Sequence, residues 1–226
     1  MVNKDQVLNL FKKHFTMDYT GKVDVDDQGC LTVRSSIIHM RPRQGFSSLP
    51  VKFRAVTGSL VVKDNTLTTL EGCPEHVPGY FDCSDNYLKN LLGGPRTVGT
   101  GNAGMGGWYS AMFTEQHPLL SLEGLPEEVH GDLILGYSPR TPLLRICLVS
   151  KKAVKFSSTQ SDAIDNDDSD DVDNHIKYMH PHLSDLEDLF NQPEHQGAGG
   201  VLRMASAMND LDEHWGQGTL THNISL

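Results

Sequence analysis

Long apolar runs are missing from this chain, and no stretch approaches the roughly 20 residues that a membrane-spanning helix needs. The opening "MVNKDQVLNLFKKHF" carries too many charges for a secretory signal. The sequence therefore predicts no membrane association. A basic stripe is missing as well. The net charge is −10 and the isoelectric point about 5.5, which argues against direct nucleic-acid binding. Cysteine is sparse: Cys30, Cys73, Cys83 and Cys147 are widely spaced and form no CxxC pair. That spacing fits neither a disulfide frame nor a zinc knuckle and points to reduced thiols of a cytosolic type.

Catalytic and metal-binding patterns are equally thin. His175, His180, His182 and His195 lie among aspartates, yet neither HExxH nor a two-histidine helical spacing occurs. Solvated histidines and no metal or other cofactor are expected. Cys73 and His76 share one loop, but the equivalent positions of a later unit are Leu125 and Glu128, which favours a structural role for both. With no serine–histidine–acid set or paired carboxylates, a non-enzymatic protein is expected.

The negative charge is uneven. Asp162, Asp165, Asp167, Asp168, Asp170, Asp171 and Asp173 place seven charges within twelve residues. This block reads as a solvated linker, with mimicry of DNA phosphates as the alternative.

An internal repeat fills the middle of the chain. "LPVKFRAVTGSLVVKDNTLTT" (49–69) is followed directly by "LEGCPEHVPGYFDCSDNYLKN" (70–90). Seven landmarks recur at an offset of 21: Leu49/Leu70, Val56/Val77, Gly58/Gly79, Leu60/Phe81, Val62/Cys83, Asn65/Asn86 and Leu67/Leu88. "LLGGPRTVG" opens a third unit at 91, and "LLSLEGLPEEVHGDLIL" (119–135) repeats the phrase again. "GCLTVRSSIIHMRPRQGFSSL" reads as an earlier, degraded unit. Leu60-Val61-Val62, Phe81-Asp82-Cys83 and Leu133-Ile134-Leu135 alternate as strands, outer members inward. Asn65 and Asn86 stand where the chain bends, and their amides are suited to bond exposed backbone groups of neighbouring coils. A single unit cannot bury its apolar row; stacked units can, with a parallel sheet along one side.

These units resemble the leucine-rich repeat. More closely, the phrases "LEGCPEHVPGYFDCSDNYL" and "LEGLPEEVHGDLIL" are similar to short leucine-rich-like repeats of tailed bacteriophages and prophages. The resemblance covers roughly residues 45–149. It implies an α/β solenoid of about four 21-residue coils with a parallel sheet and helical caps. It implies no catalytic residues.

The domain reading is an N-terminal cap (1–44), the solenoid (45–149), the acidic linker (150–174) and a C-terminal helical cap with tail (175–226). Residues 3–15 predict an amphipathic helix with Asn3 or Asp5 as cap. "KVDVDDQGCLTV" predicts a hairpin. "HLSDLEDLF" and "GAGGVLRMASAMNDLDEHW" predict two helices, the first capped by Ser184, and the tail "GQGTLTHNISL" reads as loose or partner-bound.

The third unit is stretched by about seven residues between Val98 and Tyr109 and about three before Leu119. The first insertion holds Gly99-x-Gly101-x-x-Gly104, the spacing of a dinucleotide-binding loop. Such a loop must open a helix, and the sequence after it has no helical pattern. A glycine-hinged bulge is the expectation instead. Trp108, Tyr109, Met112 and Phe113 beside it either cover the coil beneath or anchor a binding surface.

The functional expectation is a protein–protein interaction module, phage-encoded and acting on a host protein in the host cytoplasm. A virion component is the alternative. The candidate contact residues are Val61, Lys63, Tyr80, Asp82, Trp108, Tyr109, Phe113, Asp132 and Ile134. Ser59, Ser84 and Gly136 extend them.

Overall fold

A computed structural model describes residues 2–100, 107–113, 117–138, 140–157, 183–215, 220 and 223–224. Helix α1 (Lys4–His14) begins where Asn3 accepts from the backbone N–H groups of Asp5 and Gln6, at 3.1 and 3.2 Å. Its buried Phe11 stacks on Phe15, and Phe53 meets both rings edge-on. That aromatic trio plugs the first end of the core.

Strand β1 (Phe15–Met17) leads to the hairpin β2 (Lys22–Val25) and β3 (Cys30–Arg34), paired antiparallel as the sequence predicted. Strand β4 (Ile37–Met40) completes the first rung. Four further coils each contribute a short flank strand and a strand of the main sheet. They are β5 (Lys52–Val56) with β6 (Ser59–Val61), β7 (His76–Val77) with β8 (Phe81–Asp82), β9 (Thr97–Val98) with β10 (Tyr109–Ala111), and β11 (Glu128–Val129) with β12 (Asp132–Gly136). Strand β13 (Ala153–Ser157) follows a 3-10 turn over Leu144–Leu148.

Among the described residues the main sheet has the order β1-β4-β6-β8-β10-β12-β13, parallel except for β1. The molecule is therefore a solenoid of five coils, carrying C-terminal helices. The degraded first unit is a full coil: Leu31 pairs with Phe53 and Ile38 with Leu60. The sheet also runs past both expected solenoid bounds, because β4 lies before residue 45 and β13 after 149. Strand β13 joins because its inward Val154 and Phe156 continue the core rows, with Val154 next to Leu133.

One core row runs Ile38, Leu60, Phe81, Tyr109, Leu133, Val154 through successive strand pairings, and every member is fully buried. Each such side chain contributes about 2 kcal/mol of burial energy. The turns are held by the repeat asparagines. Asn86 donates to the carbonyls of Cys83, Ser84 and Val62, and it accepts from Leu67 N–H at 3.0 Å. Asn65 donates to Lys63 O and accepts from Gln44 N–H. Each amide thus ties its own bend to the preceding coil.

The last coil has Ser138 at the asparagine position, and the structure fills that vacancy from the tail. Asn223, fully buried, donates to Ser138 O at 3.0 Å and Thr141 O at 2.6 Å. Tyr137 Oη donates to its side-chain oxygen, and Leu143 N–H to its backbone carbonyl. The expectation of a loose tail is corrected here. Leu220 is also fully buried, so these tail residues are part of the core.

Two helices cover this end: α2 (Leu183–Asn191) and α3 (Ala198–Trp215). Helix α2 already begins at Leu183, so Ser184 lies inside its first turn and is not the cap expected. Leu186, Phe190, Met204 and Met208 face the core with no exposure. Leu202, on the opposite side of α3, is 82% exposed. A cleft of about 480 Å3 runs along the seam, lined by Cys147 to Lys152 on one side and Asn191, Pro193, Gln196 and Gly197 on the other.

Lys151 crosses the seam. Its ammonium donates to Ile146 O, Val149 O and Gln196 Oε1, at 3.1, 3.3 and 2.6 Å. Burial pulls its pKa from 10.5 down to about 8. Between those values the unfolded chain holds the proton and the folded chain does not, so the Lys151 contribution to stability rises with pH. The stability of wild type minus that of Lys151→Met is expected to rise by about 2 kcal/mol between pH 7.5 and 10. Urea unfolding at a series of pH values measures it, and a flat difference refutes it.

Candidate functional site

The outward face of the main sheet carries three rows of side chains. The middle row runs His39, Val61, Asp82, Ser110, Ile134, Lys155 by direct strand pairing. The row before it includes Ser59, Tyr80, Trp108 and Asp132, one residue N-terminal to each inward position. This is the face expected from the alternation of the repeat.

Accessibility divides the expected contact residues. Lys63 is exposed, and Tyr80, Trp108, Asp132 and Ile134 are half-buried. Val61 is buried, and so are Asp82, Ser59 and Ser84. Most of these polar groups are taken up between coils. Ser59 Oγ accepts from Tyr80 N–H, and Asp82 accepts from Ser84 N–H. Ser84 Oγ lies 2.9 Å from Ser110 Oγ and accepts from Met112 N–H. Short side chains in parallel strands sit below their larger neighbours and bond sideways. Val61, Asp82, Ser59 and Ser84 are therefore corrected from contact residues to supports of the face.

Two aromatic candidates are also corrected. Tyr109 is fully buried, packs on Phe81 at 5.5 Å between ring centroids, and places its hydroxyl 3.7 Å from Cys83 Sγ. Burial drives that phenol well above its ordinary pKa. Phe113 is 4% exposed and packs over Gly136, where an added Cβ would lie 3.0 Å from the ring. Of the two readings of the aromatic cluster, Tyr109 and Phe113 cover the coil. Trp108 alternates outward.

Trp108 stacks on Tyr80 of the preceding coil, with ring centroids 4.3 Å apart and planes within 8°. The pair forms a ridge across β8 and β10. On one side of it lie Asp82 and Lys63, 4.0 Å apart; on the other Lys155 pairs with Asp132 at 2.8 Å. Burial, and after it the Asp82 charge, raises the Tyr80 phenol pKa. The Asp85 carboxyl is also raised, by burial first and then by the Asp82 charge.

The insertion next to Trp108 closes on itself. Gly99 has φ +90°, and a Cβ on Gly107 would lie 2.1 Å from Gly99 Cα. Only two glycines allow the base of the loop to pinch shut. The seven-residue insertion is confirmed by register, because Tyr109 pairs with Phe81. Gly107 then leads into strand β10 rather than a helix, so the arrangement is not that of a dinucleotide loop. Gly101 and Gly104 lie outside the described residues.

So do His175, His180 and His182 and the whole acidic block from Asp162 to Asp173. His195 is buried, with Nδ1 2.7 Å from Leu189 O, and belongs to the cap. Among the described residues no three histidine, cysteine or carboxylate groups converge on a metal position. Burial holds the Cys73 thiol well above its ordinary pKa, away from the reactive thiolate. His76 is exposed on β7.

Sequence reasoning missed the C-terminal seam: Asn223, Lys151, Glu187 and Asn191. Ser138 at an asparagine position was the one available signal, and it did not point to a residue 85 positions away.

The fold and this face define a repeat solenoid with an aromatic ridge on the open side of its sheet. Comparison of the chain with family models, with curated proteins and with solved structures finds no match.

Proposed function

We propose that this chain is a non-enzymatic protein-binding module that engages its partner through the outward face of the main sheet. The Tyr80–Trp108 stack carries this reading. Two large aromatic side chains held parallel across adjacent coils lose little freedom on binding, and tyrosine and tryptophan are favoured as interface anchors. Lys63, Asp132 and Ile134 surround them as an accessible rim. The resemblance of the repeat phrase to those of tailed-bacteriophage proteins is the support for a phage origin, and a host protein is the partner proposed on it.

Affinity purification from host cells identifies that partner, and calorimetry on the purified pair tests the surface. Trp108→Ala and Tyr80→Ala are each expected to weaken binding by about 2 kcal/mol, roughly 30-fold, with the fold intact. If both variants bind a verified partner as wild type does, the contact surface lies elsewhere.

A further inference from the structure

The sheet has two ends, and they are finished differently. At the last strand, β13, the backbone groups that would pair with a further strand are those of Val154 and Phe156. Three of these four groups, all but the Phe156 carbonyl, are bonded by side chains of α2. Asn191 of α2 accepts from Val154 N–H at 2.7 Å and donates to Val154 O at 3.1 Å. Glu187, one helical turn earlier, accepts from Phe156 N–H. The four-residue spacing places both side chains on one face of α2, in step with alternate residues of the strand. Two side chains thus reproduce three hydrogen bonds of a missing strand.

We infer that α2 is a strand surrogate that prevents the sheet from extending into a second copy of this chain. Unpaired strand edges are templates for further pairing, and proteins cover them. The other end of the sheet supplies the complement. β1 is the opposite edge strand and runs antiparallel to the rest. An added β1 would therefore meet β13 antiparallel, with the two solenoids aligned head to tail.

Charge favours that pairing over β13 against β13. Residues 1–63 hold ten lysines and arginines against five aspartates, a net +5. The described residues of 64–226 hold eight against sixteen acids, a net −8. Joining like ends sets acidic halves together, whereas head-to-tail contact sets a basic end against an acidic one. Such a contact is heterologous and does not close on itself, so it yields open chains of growing length.

The experiment uses the full chain with Glu187→Ala and Asn191→Ala combined. Wild type is expected to elute as one species at every concentration. The double variant is expected to grow from monomer to dimer and higher species as concentration rises, by size exclusion with light scattering. Adding Met17→Pro in β1 is expected to return it to monomer, because Met17 N–H faces away from β4 and proline removes that edge donor. Charge-driven association is also expected to weaken several-fold between 50 and 500 mM salt.

Hydrogen exchange at Val154 and Phe156 keeps the test decisive if the variant is partly destabilised. Both amides should exchange at least tenfold faster than wild type at low concentration and recover protection as oligomers form. A variant that exposes these amides and stays monomeric at high concentration overturns the inference. So does one whose amides stay protected in the monomer, or whose oligomers persist with Met17→Pro.

Discussion

Tyr109→Ala is expected to lower the unfolding free energy by about 4 kcal/mol, while Trp108→Ala, one residue away, lowers it by about 1 kcal/mol. The two residues differ only in which side of β10 they occupy. Tyr109 pairs with Phe81 and Leu133 in the central core row and has no exposed surface. Its removal leaves a cavity that rigid coils on both sides cannot collapse into. Its hydroxyl also leaves Cys83 Sγ, a weak partner whose loss adds little. Trp108 gives up one stacked contact with Tyr80 and returns the rest of its surface to water. Guanidinium unfolding of the two variants side by side measures the contrast. Equal losses would mean that the alternation through β10 is wrong, and with it the assignment of the binding face.

Asn223→Ala is expected to cost about 3 kcal/mol, far more than a tail residue ordinarily does. Alanine leaves the Thr141 carbonyl without the Asn223 amide, takes one of two donors from Ser138 O, which keeps Thr141 N–H, and removes the Asn223 acceptor of the Tyr137 hydroxyl. Buried polar groups left unpaired each cost about 1–3 kcal/mol. Burial already holds the Tyr137 phenol up at about 12, so the loss falls on a neutral, well-desolvated donor. Asn209→Ala, on the exposed face of α3, is the control and should move stability by less than about 0.5 kcal/mol. An Asn223 variant as stable as that control would show that the tail does not complete the last coil.

The repeat itself was legible because period-21 periodicity and strand alternation are local properties. The offset that aligned Leu60 with Phe81 is the strand register observed, and the asparagines bond as their position at the bend implied. The same counting aligned Tyr109 with Phe81 and already implied that its side chain points inward. That alternation puts Tyr109 in the core and leaves Trp108, one residue earlier, on the outward face. Accessibility was a different matter. Val61, Asp82 and Ser84 point outward as the pattern requires, yet they are buried. An outward direction is set by one strand, whereas exposure depends on the size and bonding of side chains in the strands beside it.

By itself, the sequence determined the number of residues per coil, the inward rows and the place of the insertion. The N-terminal cap was equally readable, since Asn3 and the apolar face of α1 lie within one short segment. Only the tertiary structure decided how the far end is closed. Strand β13 extends the sheet, Glu187 and Asn191 cover its edge, and Asn223 supplies the amide that Ser138 lacks. Each of these unites segments that are distant in sequence and share no local pattern. Their positions follow from which backbone groups the last coil leaves unpaired in three dimensions, and from the free energy of leaving them so.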